Sequence, residues 1–321
     1  MRRTSHCVGL LALLFAAQVA AQAYPVRPVH LIVPSVAGGA TDVLARVVAE
    51  GLGTRLGQPL VVENRPGAGT VLATSQVAKL GGDGYTLLFG TLAHAINATL
   101  NRKLSYDPLA DFEFIGKIGQ LTFAVTVSPS LGAEDLAGLV GMLRANPGKT
   151  QYGSAGVGSP MHVGGELLKQ LTRTDAIHIP YKGEAAALAD LLGGRITFML
   201  CSVPTCAGRF DEGSLRALAV SSPARSPRLP KVPTGAEAGV AGLETYSWFM
   251  IIAPKGTPRT VVDRVSEAIN AMLQDAAFKT RIAATGAELD TRSSPEATRA
   301  FVQSEIDKWR PIVRASGAVV D

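Results

Sequence analysis

Charge, aromatic residues and cysteine are all scarce in this chain, and each shortage narrows what it can do. Of its 321 residues, 18% are charged and 6% aromatic, and 31 basic against 26 acidic side chains leave a formal +5. So mild a balance does not demand a polyanion, and so few aromatics make a poor base-stacking surface; nucleic acid is not an expected partner. The cysteines are Cys7, Cys201 and Cys206, with no CxxC, and His30, His94, His162 and His178 never fall at metal-ligand spacing. Neither a metal nor a cofactor is expected. Beyond the N-terminal stretch, no apolar run approaches the ~20 residues of a membrane-spanning helix. Glycine is plentiful, at 34 residues, but follows no strict period, and 47% hydrophobic residues are too many for a disordered chain. At ~150 residues per domain, the length points to about two domains.

The start is a separate case. Met1-Arg2-Arg3 precedes an apolar stretch, Val8 to Ala20, and then Ala21-Gln22-Ala23 before Tyr24. A basic n-region, a short apolar h-region and an A-x-A site read as a cleavable signal peptide over residues 1–23, so the product is expected to be exported, soluble and periplasmic. Cys7 lies ahead of the h-region and so is not placed for lipid attachment at the cleavage site. Only Cys201 and Cys206 then remain; an oxidising compartment permits a disulfide between them, and two buried thiols are the other reading.

Strand and helix patterns alternate from the mature start. Val29 to Val33 reads as a strand, and Val43, Leu44, Val47, Val48 and Leu52 return at helical spacing. Leu60 to Val62 and Tyr85 to Phe89 are further strands, with a helix from about Thr70 to Leu80 between them. The alternation restarts at Leu121 to Val127, runs through helices over Glu134 to Ala145, Met161 to Leu171 and Glu184 to Leu192, and includes strands near Tyr152, Ile177, Ile196 and Leu215. After the strand Trp248 to Ala253 helices dominate, the last from Pro295 to about Ala315. This pattern predicts an α/β protein of two lobes, each a mostly parallel sheet flanked by helices. Lobe 1 takes residues 24–125 plus 249–321 and lobe 2 takes 126–248, joined by two hinge crossings near Val125 and Phe249.

Two glycine-rich segments stand between a strand and a helix, where ligands of α/β sheets bind. The first is Gly38-Gly39-Ala40-Thr41-Asp42. Glycine lets the backbone approach an anion, free N–H groups at a helix start point at it, and Asp42 either caps amides or receives a ligand ammonium. The second, Gly153-Ser154-Ala155-Gly156-Val157-Gly158-Ser159-Pro160, fails GxGxxG, fails GxSxG because Tyr152 holds the first glycine position, and lacks a P-loop ending. Each alone is equally an ordinary βα turn; one in each lobe suggests an anion held across a cleft. A helix N-terminus contributes only ~0.3–1 kcal/mol, whereas micromolar affinity needs ~8 kcal/mol. Four or more charge-assisted hydrogen bonds of ~1.5–3 kcal/mol would supply the rest. Neither segment contains Arg or Lys, which favours a carboxylate held by neutral donors over a phosphate clamped by guanidinium groups.

The sequence resembles the Bug (TctC-like) family of extracytoplasmic solute-binding proteins of tripartite tricarboxylate transporters. The resemblance rests on an ordered set of stretches along the whole mature chain. They are Ile32-Val33-Pro34 with Gly38 to Asp42, Val62-Glu63-Asn64-Arg65-Pro66-Gly67-Ala68-Gly69, Asp83 to Leu88, Tyr106-Asp107-Pro108, Tyr152 to Gly156 with His162, Pro180-Tyr181-Lys182-Gly183, and Ala253-Pro254-Lys255-Gly256-Thr257-Pro258. It implies a periplasmic-binding-protein fold, type II-like, closing like a Venus flytrap on a small organic anion: a di- or tricarboxylate, an amino acid or an aromatic acid. It also implies partnership with the transporter's membrane components; a monomer is expected. Carried over residue by residue, the binding candidates are Gly38, Gly39, Thr41 and Asp42, then Ser154, Ala155, Gly156 and His162. To these the reading adds Ser35 on the first turn, Thr91 and His94 at the expected cleft edge of lobe 1, and Cys201 and Ser202 at the wall of lobe 2. Ser35-Val36-Ala37 departs from the aromatic and prolines that family members usually carry there. The alternative function is an exported enzyme using Ser154 or Ser159, His162 and Asp42 in the same cleft; binding without catalysis is the expectation.

Overall fold

Aliphatic strands alternating with amphipathic helices build the whole of the described chain, residues 24–320 of a computed structural model. The signal peptide read in residues 1–23 lies outside the described residues. Among those described, no helix is long and apolar enough to cross a membrane.

The first half contains β1 (Val29–Val33), α1 (Ala40–Leu56), β2 (Leu60–Asn64), α2 (Val71–Ala78), β3 (Thr86–Thr91), α3 (Leu92–Leu100) and β4 (Phe112–Val127). The middle contains α4 (Leu136–Ala145), β5 (Gln151–Ser154), α5 (Pro160–Thr172), β6 (Ile177–Pro180), α6 (Glu184–Leu192), β7 (Phe198–Ser202), α7 (Val203–Asp211) and β8 (Arg216–Val220). The chain closes with β9 (Tyr246–Pro254), α8 (Arg259–Gln274), α9 (Ala276–Ala284), β10 (Glu288–Leu289) and α10 (Pro295–Ala315).

One sheet runs β2-β1-β3-β9-β4, with β10 also on β4; the other runs β4-β7-β5-β6, with β8 also on β4. The outer strands pair parallel (β1 with β2 and β3, β5 with β6 and β7), whereas β9 and β4 run antiparallel to their neighbours. That mixture follows from the connectivity, because β4 leaves lobe 1 while β9 returns to it. Along β4, Phe112 to Thr122 pair with β9, and from Phe123 onward the partners become β7 and β8. Buried Ser221 ties the crossings together. Its amide donates to Phe123 O at 2.8 Å, its carbonyl accepts from Thr245 N at 2.8 Å, and its hydroxyl donates to Thr245 O at 2.5 Å.

Alternation decides which face each strand residue serves. Val29, Leu31 and Val33 pack with Leu44, Val48 and Leu52 of α1 and Val265 and Ile269 of α8. Ile32 points the other way and joins a core that continues through Leu88, Phe112 and Val125 into lobe 2 at Leu139, Tyr152, Phe198 and Trp248. Each such buried aliphatic side chain contributes on the order of 1.5–3 kcal/mol.

Four elements differ from the sequence expectation. β4 starts at Phe112 rather than Leu121, because bulges between Phe114 and Gly116 and between Lys117 and Gly119 break the strand's period of two. α3 and α7, which the pattern does not predict, each follow a strand with no intervening loop, and the short β10 interrupts the C-terminal run of helices.

Candidate functional site

β1 ends at Val33, and the turn after it is organised by one buried carboxylate. Asp42 is 3% exposed. Its Oδ2 accepts from Gly38 N at 2.8 Å and Arg46 Nε at 3.0 Å, and its Oδ1 accepts from Asn64 Nδ2 at 2.8 Å. Burial pushes this carboxyl up, but the hydrogen bonds from Arg46, the Gly38 amide and Asn64 outweigh it and hold the group below the ordinary carboxylate range. Of the two roles considered for Asp42, the structure displays the first: it holds the turn. Gly38 makes that possible with φ +80°, a conformation costly for a residue with a Cβ.

The same turn leaves amides open. α1 is capped by Gly39, which offers no side chain. Gly39 N reaches Val36 O at 3.4 Å and Val43 N bonds Gly39 O at 3.0 Å, but the N–H groups of Ala40, Thr41 and Asp42 have no acceptor among the described residues. Ser35 adds a buried hydroxyl with no partner among the described residues.

A second turn on this edge was not in the sequence-derived set. β2 lies beside β1 with Asn64 opposite Val33, and the chain beyond it takes positive φ at Gly67, Ala68, Gly69 and Thr70 in succession. Such φ in Ala68 and Thr70 costs on the order of 1–3 kcal/mol each. Buried Asn97 holds the strained turn, donating to Gly69 O at 2.8 Å and Thr70 Oγ1 at 3.2 Å. The pair of glycines around Ala68 was the available signal; the helix supplying Asn97 went unread.

In lobe 2, β5 ends at Ser154, which is fully buried, with its Oγ 2.6 Å from His178 Nε2. Much of this turn's donor capacity is spent internally. Gly156 N donates to Ser154 Oγ at 3.1 Å, Gly158 N to His162 Nδ1 at 3.1 Å, and Ser159 N to Gly156 O at 3.1 Å. Ser159 Oγ caps α5 by accepting from His162 N at 3.3 Å. The amides of Ala155 and Val157 remain without an acceptor among the described residues. The open donors of the lobe 1 turn are three consecutive amides at one helix start, whereas those of the lobe 2 turn are dispersed.

Strand pairing sets how the two turns relate. β3 ends at Thr91 opposite Phe249, shortly after β9 enters its sheet at Tyr246, and β1 runs parallel beside β3. β7 ends at Ser202 opposite Phe123, where β4 changes partners, and β5 runs parallel beside β7. The carboxyl edges of both sheets thus border the crossing, and both glycine turns leave from those edges. Contact across the lobes agrees: at Gly158, a Cβ would lie 2.3 Å from Leu100 Cδ2 of α3, so a side chain there would displace Leu100.

The remaining sequence-derived residues are placed as follows. Thr91 is half-buried at the cap of α3. His94 is 2% exposed, bonded through Nε2 to Pro108 O at 2.8 Å and packed against Tyr106 and Phe112, so it belongs to the interior of lobe 1. Cys201 is joined to Cys206 in a disulfide, which resolves the two readings of the pair. Ser202 gives its amide and hydroxyl to the Glu184 carboxylate, at 2.6 and 2.8 Å. Burial raises the Glu184 carboxyl against the pull of those bonds. The triad considered for an enzyme is not assembled: Ser154 faces His178 rather than His162, and every hydrogen bond to Asp42 comes from lobe 1. A cavity of about 520 Å³ lined by Phe210, Leu215, Leu229 and Val232 includes no residue of either glycine turn, so the strand-edge geometry defines the candidate site instead.

Comparison with known proteins bears on the family and the fold. Residues 44–318 match the family model described as "Tripartite tricarboxylate transporter family receptor". Protein BugT of Bordetella pertussis is 38% identical over 305 residues, which cover 94% of this chain and 93% of BugT. The structure of periplasmic binding protein BugD matches with a TM-score of 0.79 at 34% identity, over 92% of this chain and 99% of that one. A protein of R. palustris solved with adipate matches with a TM-score of 0.82 at 36% identity, again over 92% and 99%. The two-lobed architecture is the periplasmic-binding-protein fold.

Proposed function

This chain belongs to the tripartite tricarboxylate transporter receptor family, and we propose that it is a periplasmic solute-binding protein that captures a small carboxylate between its lobes and passes it to a transporter of that class. The single observation that carries this reading is the uncapped start of α1, where three amides lack acceptors among the described residues on the edge that borders the crossing. A carboxylate is the ligand such donors suit, since it accepts from several N–H groups at once and gains from the helix dipole. The adipate-bound relative supports a dicarboxylate as the first class to test.

In this reading Ala40, Thr41 and Asp42 supply amides, Ser35 and Thr41 supply hydroxyls, and Ala155 and Val157 close on the ligand from lobe 2. Asp42, Ser154 and His162 shape the turns, Thr91 lies at the rim, and Ser202 with the Cys201 disulfide forms part of the lobe 2 wall. Closure turns about β4 and β9, and no bond of the ligand is made or broken. We set the lobe boundaries near Val125 and Phe249; the change of strand partners between Thr122 and Phe123 supports that placement.

Isothermal titration calorimetry with adipate, malate, succinate, aspartate and benzoate tests the reading. Saturable binding of at least one, with the acid recovered unchanged, is expected. Thr41→Ala and Ser154→Ala should each weaken that binding by ~1–3 kcal/mol. No binding across the panel, or turnover abolished by Ser154→Ala, would overturn it.

A further inference from the structure

Two stacked imidazoles support the lobe 2 turn. The rings of His162 and His178 have centroids 4.0 Å apart and lie 23° from parallel. His178 also stacks on Tyr152, which stacks on Phe198. Each ring holds the turn by one nitrogen: Gly158 N–H donates to His162 Nδ1 at 3.1 Å, and His178 Nε2 lies 2.6 Å from Ser154 Oγ. A nitrogen that accepts carries no proton, so this geometry requires a neutral His162 with its hydrogen on Nε2.

We propose that His162 and His178 are positioning residues for the carboxylate site, and that a proton taken up by this stacked pair opens the Gly153–Ser159 turn and weakens ligand binding. The proposal rests on the reading of the cleft given above. Protonation converts His162 Nδ1 from acceptor to donor and sets two N–H groups against each other. Gly158 has little room to yield on its outer side, because it packs directly against Leu100 of lobe 1. The charged and titratable groups facing the pair are Tyr152 on β5 and Glu166 and Lys169 on α5. Glu166 is already engaged, accepting from Tyr152 Oη at 2.5 Å and Lys169 Nζ at 2.9 Å. Burial, then Lys169, pushes His162 down to about 4. Burial, then the neighbouring His162, pushes His178 down to about 4 against the opposing pull of Glu166. The pair is therefore neutral when the site works at neutral pH.

The test begins without a ligand. Backbone amide and histidine ring NMR signals are followed from pH 7.5 to 3.8 in the wild type, His162→Asn and His162→Leu, with circular dichroism confirming the fold at each step. Asn places a non-titrating acceptor near the position of Nδ1. The Gly158 amide should move with the His162 titration in the wild type and not in His162→Asn. A Gly158 amide indifferent to that titration would overturn the proposal whatever the ligand. Adipate is then titrated by calorimetry. At pH 7.5, His162→Asn should bind about tenfold tighter than His162→Leu. The Kd ratio of wild type to His162→Asn should rise about threefold by pH 3.8; protonation of adipate itself cancels in that ratio. A constant ratio would also overturn the proposal, whereas absence of adipate binding to the wild type at pH 7.5 would count against adipate as ligand and leave the amide titration to decide.

Discussion

Asp42 shows how much of a turn one ionised side chain organises. Its three hydrogen bonds join the glycine turn, the first turns of α1 and the end of β2. Asp42→Ala should therefore lower stability by ~2–4 kcal/mol, since bonds to a charged acceptor are worth ~1.5–3 kcal/mol and Gly38 and Asn64 would lose a shared partner; urea unfolding measures it, and a loss under ~1 kcal/mol would contradict the role. His94 gives a pH-dependent counterpart. Burial pushes its imidazole down to about 4, against the Pro108 carbonyl bond that favours the charged form. The unfolded chain takes that proton near pH 6.5. The contribution of a neutral His94 is thus complete above ~6.5 and falls progressively toward pH 4, by up to ~3 kcal/mol. His94→Phe should narrow the difference in thermal stability between pH 7 and pH 4; an undiminished difference would contradict this account. The residue type at position 42 and its place after a glycine pair were enough to offer amide capping as one of two roles. Its partner Asn64 was not legible, because two parallel strands bring it there from across the sheet. His178 escaped for the same reason: it reaches Ser154 only through the pairing of β5 with β6.

At the scale of elements, periodicity recovered those bounded by turn signals. The helix Glu184–Leu192 stands as read, with Gly183 before it and Gly193 after it. Strand β4 was only half legible, since two bulges interrupt its alternation where β10 crosses, and at Gly119 a Cβ would lie 2.2 Å from Glu288 O. What fastens α10 to β9 could not be read at all. Trp248 Nε1 and Trp309 Nε1 both donate to Glu305 Oε2, at 2.8 and 3.0 Å, and all three residues are buried. Glu305→Leu should leave two indole N–H groups unpaired, destabilise the protein by ~2–4 kcal/mol and shift tryptophan emission, these being the chain's two tryptophans. Glu305→Gln keeps an acceptor oxygen and should lose less. Equal losses in a urea titration of both variants would show that packing alone joins the helix to the strand.

For the whole molecule, the two-lobed α/β architecture followed from strands alternating with helices twice over, together with an ordered set of motifs. The antiparallel pairing of β4 and β9 was less visible, because strand direction is fixed by where the chain crosses and not by local sequence. That crossing lies beside the carboxyl edges of both sheets, from which the two glycine turns leave. The open donors are arranged differently among the described residues: lobe 1 retains three successive amides at the start of α1, whereas lobe 2 has committed several of its own to holding its turn. In the proposed reading the carboxylate is therefore gripped first by lobe 1, and closure follows. The most direct check is a backbone amide shift map of the wild-type protein as it is saturated with the dicarboxylate that binds it most tightly. The largest shifts should fall on Ala40, Thr41 and Asp42, accompanied by Ala155 and Val157. Shifts confined to one lobe, or gathered around Phe210 and Leu229, would contradict the account.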